Sequence, residues 1–284
     1  MYYIAGLNQS EIASQLGTSR PVVQRLIAAA KDEGIVSIGL HHPVANCLDY
    51  AQLLKEKYQL TDCNIMPVYS IESTLDSVTF GCYQLMARYL QGDKPTIVGI
   101  GSGLTLKKTI KRIDFDSQNT RCVALISAMN EHGQCNYYDD VPLLLARKIQ
   151  GKYYQWPAPR YAQSREEYQM WSTNRLFRNV STVARDSDVI FVGIGALGRQ
   201  SPIFKDGFID EQQLEELTAR GGVGEILGRF IDAEGNVVES QINQMIPSHD
   251  IRESNCPRIA AACGEDKRPA ILAALKGGWI NGLV

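Results

Sequence analysis

The chain has 284 residues, of which 44% are apolar and 21% charged. That composition buries a sizeable core and excludes wholesale disorder, and the length suggests two domains. Lys and Arg total 29 against 31 Asp and Glu, a net charge of −2. This excludes a polyanion coat or a polybasic membrane binder, so any nucleic-acid contact must come from a local patch.

No apolar run approaches the roughly 18 residues that span a bilayer. No basic segment followed by an apolar one opens the chain, so no secretory signal is read. The seven cysteines, Cys47, Cys63, Cys82, Cys122, Cys135, Cys256 and Cys263, are scattered. They argue against a disulfide framework and against a zinc site built on C-x-x-C. A reducing cytoplasm is the simplest location.

In chain order, residues 9–16 place Ile12, Ala13 and Leu16 on one helical face, and Gly17 stops that helix. Thr18 and Ser19 offer capping oxygens, and Pro21 falls in the first turn of the next helix, where a missing N–H costs nothing. That helix runs to about Lys31, with Val23, Leu26, Ile27 and Ala30 on one side and Gln24 and Arg25 on the other. Gly34 is a C-cap, and residues 34–38 turn into a short strand. Residues 41–46 read as a linker and 47–59 as an amphipathic helix. Four strand-like runs follow, Thr96–Ile100, Cys122–Ser127, Asp188–Ile194 and Arg258–Ala262, with helical patterns at 104–113 and 267–276. Such alternation predicts an α/β domain with a mainly parallel sheet, whose ligands sit at the carboxyl ends of the strands. Three segments result: 1–40 as a DNA-binding domain, 41–60 as linker and connecting helix, and 61–284 as an effector-binding and oligomerisation domain.

Residues 9–28 fit a helix-turn-helix. Ala13 is small where the helices touch, Gly17 supplies a left-handed turn residue, and Val23 and Leu26 lock the second helix onto the first. The free face of that helix carries Gln24 and Arg25, which suit adenine and guanine edges in a major groove. Thr18, Ser19 and Arg20 at its start, and Ser10 at the start of the first helix, suit phosphate. A helical hairpin that serves only for packing is the bland alternative. Residues 1–40 carry Arg20, Arg25 and Lys31 against Glu11, Asp32 and Glu33, so one copy binds DNA weakly and affinity requires several copies.

The chain resembles the SorC-type sugar-responsive transcriptional regulators of bacteria. The resemblance rests on Tyr2-Tyr3, Gly6-Leu7, Glu11-Ile12-Ala13, Leu16-Gly17, Ser19-Arg20, Arg25-Leu26 and Gly34-Ile35-Val36. It continues through Gly99-Ile100-Gly101, the 156–159 segment WPAP, Asp188–Ala196, the 221–234 segment GGVGEILGRFIDAE, Gly264–Lys267 and Ala270–Val284. It implies a helix-turn-helix joined to a Rossmann-like α/β effector domain similar in fold to ribose-phosphate isomerase and glucosamine-phosphate deaminase. It further implies operator DNA as partner, a homotetramer, and a sugar or phosphorylated sugar as effector, with no cofactor. The resemblance implies a further helix ahead of the Tyr pair and a short tail after the last strand, both missing or cut short in this sequence. Ala128-Met129-Asn130, Glu225 and Cys263 stand where the family shows a Gly pair, Asp and Gly.

For the effector site, residues 96–110 read strand, Gly-rich loop, helix. Gly101, Ser102, Gly103, Leu104 and Thr105 form the loop, with glycines for close approach, hydroxyls and helix N–H groups. A tight structural turn has the same pattern. Residues 193–198, GIGALG, match a dinucleotide fingerprint, but Arg199–Pro202 breaks the helix that such a site needs, so Gly195 and its neighbours are read as pocket loop. Asp232 suits two sugar hydroxyls or a plain turn. Lys276, before Gly277-Gly278, suits a phosphate or a solvated helix end. In both cases the resemblance favours the pocket. Glu225, Glu265 and Lys267 are second-rank candidates. A His41, His42 and Cys47 metal site lacks a fourth ligand at standard spacing. The rival functions are a sugar-phosphate isomerase or deaminase with an appended helical domain, and a protein-interaction module.

Overall fold

A computed structural model describes residues 1–33, 35–36, 43–127, 129–130, 133–135 and 141–284. The predicted cap at Gly34, the strand over 34–38, His41, His42 and Ala128 therefore lie wholly or in part outside the described residues. The chain divides into two compact units, Met1–Ala45 and Asn46–Val284.

The first unit holds α1 (Tyr2–Ala5), α2 (Gln9–Gln15) and α3 (Arg20–Asp32). Helix α2 starts on a capping box: Asn8 Oδ1 accepts from the N–H groups of Ser10 and Glu11, and Glu11 Oε2 accepts from Asn8 N–H at 2.8 Å. Gly17 takes φ 60°, a left-handed value suited to glycine, and turns the chain toward α3. Ile12, Ala13 and Val23 form the small core, with Leu7 and Ile27 packed against it. Leu26 does not join them. It is 58% exposed, because it lies on the flank of the α3 stripe that Val23 and Ile27 centre. Ser19 occupies the N-cap position of α3 without donating or accepting a side-chain capping bond.

The second unit begins in α4 (Pro43–Tyr58), which starts four residues earlier than the predicted helix and takes up part of the expected linker. Proline is tolerated there because a first-turn N–H has no partner to lose. A seven-stranded sheet follows, built from β1 (Asp62–Cys63), β2 (Ile97–Ile100), β3 (Arg121–Ala124), β4 (Lys152–Tyr154), β5 (Val189–Val192), β9 (Arg258–Ala260) and β10 (Gly282–Leu283). The order is β1-β10-β9-β5-β2-β3-β4 and every pairing is parallel. The central strands are buried on both faces, as a parallel sheet requires. Val98, Ile100, Val189 and Phe191 point to one side, against α5 (Thr74–Leu90), α6 (Leu104–Lys111) and α7 (Val141–Lys148). Ile190, Val192 and Ala260 point to the other, against α9 (Arg175–Arg185) and α12 (Arg268–Lys276). Helix α8 (Arg165–Thr173) leads into α9.

A smaller antiparallel sheet joins β6 (Gly195–Ala196), β7 (Gly222–Ile226) and β8 (Arg229–Asp232). With α10 (Pro202–Lys205) and α11 (Glu211–Ala219) it closes its own cluster around Leu217 and Phe230. The glycine-rich 193–198 segment thus enters a strand, not a helix, which removes the dinucleotide reading.

Candidate functional site

In the large sheet, β3 lies on one side of β2 and β5 on the other. The chain therefore reverses direction at β2, and the loops leaving β2 and β5 diverge. Ligands of open parallel sheets bind in the crevice at such a switch point, beyond the carboxyl ends. A cavity of about 340 Å³ occupies that place. Its walls are Ser102–Thr105 after β2, Gly193–Ala196 after β5, and Cys263 and Lys267 after β9. Glu225 and Leu227 from the end of β7, Arg160, and the α10 region with Asp206 and Phe208 complete it.

Gly103 has φ 115°, a backbone that L side chains rarely adopt, and it delivers the chain into α6. The first residues of α6, Leu104 and Thr105, thus line the crevice beside Ser102, and the first N–H groups of a helix lack intrahelical partners. Arg160 is buried, with its guanidinium 4.3 Å from the centre of the Phe208 ring. Glu225 Oε2 accepts from Gly228 N–H at 2.8 Å. Its other oxygen lies where a Cβ on residue 195 would intrude, at 2.5 Å, so Gly195 is what lets Glu225 sit in the wall. Tyr161 donates to Gly228 O at 3.1 Å and stiffens the same turn, and burial pushes its phenol pKa far up. Burial also raises the Cys263 thiol, opposed by Lys267. Cations, hydroxyls and a helix amino end suit an anion, and carboxylates suit hydroxyl hydrogens.

Of the residues predicted for this site, Ser102, Gly103, Leu104, Thr105, Gly195, Glu225 and Lys267 line the cavity, and Glu265 does not. Gly101 lies beneath it, packed against Leu227 and Val192. Asp232, Lys276 and Gly277 stand elsewhere, and each has a structural task. Asp232 pairs with Gly222 at the end of the β7–β8 hairpin remote from Glu225. Its carboxylate accepts from the N–H groups of Glu234 and Asn236, bonds that hold its pKa below the usual range despite partial burial. Lys276 donates to Ala233 O at 3.2 Å. Gly277 meets the backbone of Gly235 so closely that no Cβ fits. Arg160, Asp206 and Phe208 went unread because no local pattern marks them. Lys267 carried a signal: in a β-α unit the helix starts at the carboxyl edge of the sheet, so the start of α12, not its end, faces the crevice.

In the first unit, Ser10, Ser19, Arg20, Gln24 and Arg25 are exposed and Thr18 is half-buried. Arg20 Nε donates to Gln9 Oε1 at 3.3 Å, tying the start of α3 to α2. Among the described residues no group of three His, Cys, Asp or Glu side chains is placed to hold a metal ion. Nor, among them, is any helix long and apolar enough to cross a membrane.

The Sugar-bind family model, described as "Putative sugar-binding domain", matches residues 42–284. The transcriptional regulator LsrR of Escherichia coli K12 is 30% identical over 294 residues, covering 100% of this chain and 88% of the relative. The chain belongs to the SorC family of sugar-binding transcriptional regulators. The erythritol catabolism regulatory protein EryD of Brucella abortus is 28% identical over 287 residues, covering 100% of this chain and 90% of the relative. The full-length sorbitol operon regulator SorC of Klebsiella pneumoniae shares the fold with a TM-score of 0.75 at 24% identity, over 100% of this chain and 92% of that one. A DeoR family regulator of Listeria monocytogenes shares it with a TM-score of 0.76 at 22% identity, over 84% of this chain and 96% of that one.

Proposed function

We propose that this SorC-family regulator controls a carbohydrate-utilisation operon and reads a phosphorylated sugar in the switch-point cavity. The reading rests above all on the convergence there of the α6 amino end, Ser102, Thr105 and Lys267. These groups suit the phosphoryl oxygens, while Glu225 and Asp206 suit sugar hydroxyls. The mostly apolar remainder, with Leu104, Ile194 and Leu227, excludes water and strengthens those contacts. The chain has no enzymatic role in this reading and needs no cofactor.

DNA is held by α3, with Gln24 and Arg25 toward base edges and Ser10, Thr18, Ser19 and Arg20 toward phosphates. Because residues 1–40 carry no net charge, several copies act together, and a homotetramer supplies them. The sugar phosphate binds one quaternary arrangement better and so changes the spacing of the paired α3 helices. The test is a mobility-shift titration of the DNA upstream of the protein's own gene. Retardation that Arg25→Ala abolishes and that a sugar phosphate modulates supports the reading. Turnover of the sugar phosphate, or retardation indifferent to Arg25, refutes it.

A further inference from the structure

A second cavity, of about 430 Å³, lies between α8–α9 and the 247–253 segment, apart from the effector crevice. Its walls include Arg178, Arg185 and Arg229, with Asp250 and Glu253. The two carboxylates are already engaged. Asp250 pairs with Arg252 at 2.7 Å, and Glu253 with Arg185 at 3.7 Å. Arg229 and Arg178 are satisfied differently. Arg229 donates to Ser248 Oγ, to Ser248 O at 2.8 Å and to His249 O at 3.2 Å, all neutral oxygens. Arg178 donates through Nε to Ser172 O at 3.4 Å, also neutral.

Arg178 is exposed and Arg229 largely enclosed; for Arg229 the neutral acceptors orient the guanidinium without adding charge, and Asp250 and Glu253 offset only part of the cost of taking it out of water. The cost registers on Arg229, where burial draws the pKa below the ordinary arginine range even with Asp250 nearby. The neighbouring imidazole cannot add an anion or a cation near neutral pH. Burial, reinforced by Arg229, lowers the His249 pKa to about 4, and Nε2 is 2.8 Å from Ser254 Oγ. Ser172 and Ser181 add hydroxyls to the same wall. Two guanidinium groups and two hydroxyls around one polar cavity match a tetrahedral oxyanion.

We propose that this cavity binds a phosphate dianion, either inorganic phosphate or the phosphoryl group of a phosphate monoester. The site is distinct from the effector crevice yet adjoins the same turn. Ser248 Oγ, which accepts from Arg229, donates at 2.8 Å to the carbonyl of Leu227, whose residue walls the crevice.

The test is calorimetric titration of the full chain at fixed ionic strength with sodium phosphate and, separately, with glycerol 3-phosphate. The variants are Arg178→Gln, Arg229→Gln and Lys267→Ala. Arg178 is exposed on α9, so its replacement leaves the core intact should Arg229→Gln fail to fold. Saturable binding that weakens about tenfold or more in Arg178→Gln and persists in Lys267→Ala is the expected result. The tighter of the two ligands then names the source of the anion. Binding lost in Lys267→Ala but unchanged in Arg178→Gln puts the anion in the effector crevice and overturns the proposal. So does the absence of saturable binding by the wild-type chain. Because the two cavities are separated by their variants, failure here leaves the sugar-phosphate reading standing, and the reverse also holds.

Discussion

Two lysines bracket α12, and only one of them faces the effector crevice. Lys267 lines it, whereas Lys276 bonds to Ala233 O. At 1.5 Å per residue, the nine steps from one to the other span about 13 Å, beyond the reach of a phosphoryl group seated on Ser102 and Thr105. A hydrogen bond to a charged group is worth about 1.5–3 kcal/mol net, so Lys267→Ala should weaken a sugar phosphate by about 10- to 100-fold. The same substitution should leave the unphosphorylated parent sugar within about threefold, since it removes only the phosphoryl contact. Lys276→Ala should change neither affinity by more than about threefold. The assay is isothermal titration of wild type and both variants with one sugar phosphate and its parent. A large loss in Lys276→Ala with none in Lys267→Ala would place the phosphoryl group at the end of α12 and not at its start. Equal losses for phosphate and parent in Lys267→Ala would mean that the lysine does not contact phosphate.

Other consequences concern the frame around the site. Gly224→Ala sets a Cβ against Ala270 and 2.7 Å from Gly195 O, so it should cost about 2 kcal/mol or more, read as a lower urea midpoint. Asn8→Ala removes the α2 capping box and should cost the first unit about 1 kcal/mol, visible as faster exchange of the Ser10 and Glu11 amides. His249 titrates at about 4 in the folded chain against 6.5 as the reference, so the unfolded chain binds the extra proton between those values. Stability should therefore fall as pH drops from about 6.5 toward 4, by at most about 3 kcal/mol from this group. His249→Gln should flatten the urea midpoint over that window, and an unchanged slope would show that other groups carry it.

Much of the architecture was legible because parallel strands are apolar runs. Val98–Ile100 and Val189–Val192 declare themselves, and the alternation with helices gives the sheet. The strands β1 and β10 are two residues long, too short to show a period. Helix α5 went unread although it has 17 residues. Gly81 breaks its pattern, and it is glycine because Met66 packs onto it from outside the helix. The turn of the helix-turn-helix was visible in Gly17, but the cap at Asn8 was not, since it precedes the apolar spacing that marks α2. Four of the five loop residues 101–105 were legible for the same reason as Gly17: local backbone demands leave local signatures. Arg160 and Phe208 meet only in the folded chain, 48 positions apart, and nothing near either of them announces the other.

In the proposed function, the crevice between the β2 and β5 loops reads a phosphorylated sugar. Thermal unfolding of the purified chain against a panel of sugar phosphates and their unphosphorylated parents tests it most directly. A ligand present at 100 times its Kd stabilises the native state by about 2.7 kcal/mol, which raises the Tm by several degrees. A phosphorylated sugar should give such a rise, absent with its parent and abolished in Lys267→Ala. A rise with the parent sugar alone, or no rise with any sugar phosphate, would contradict it.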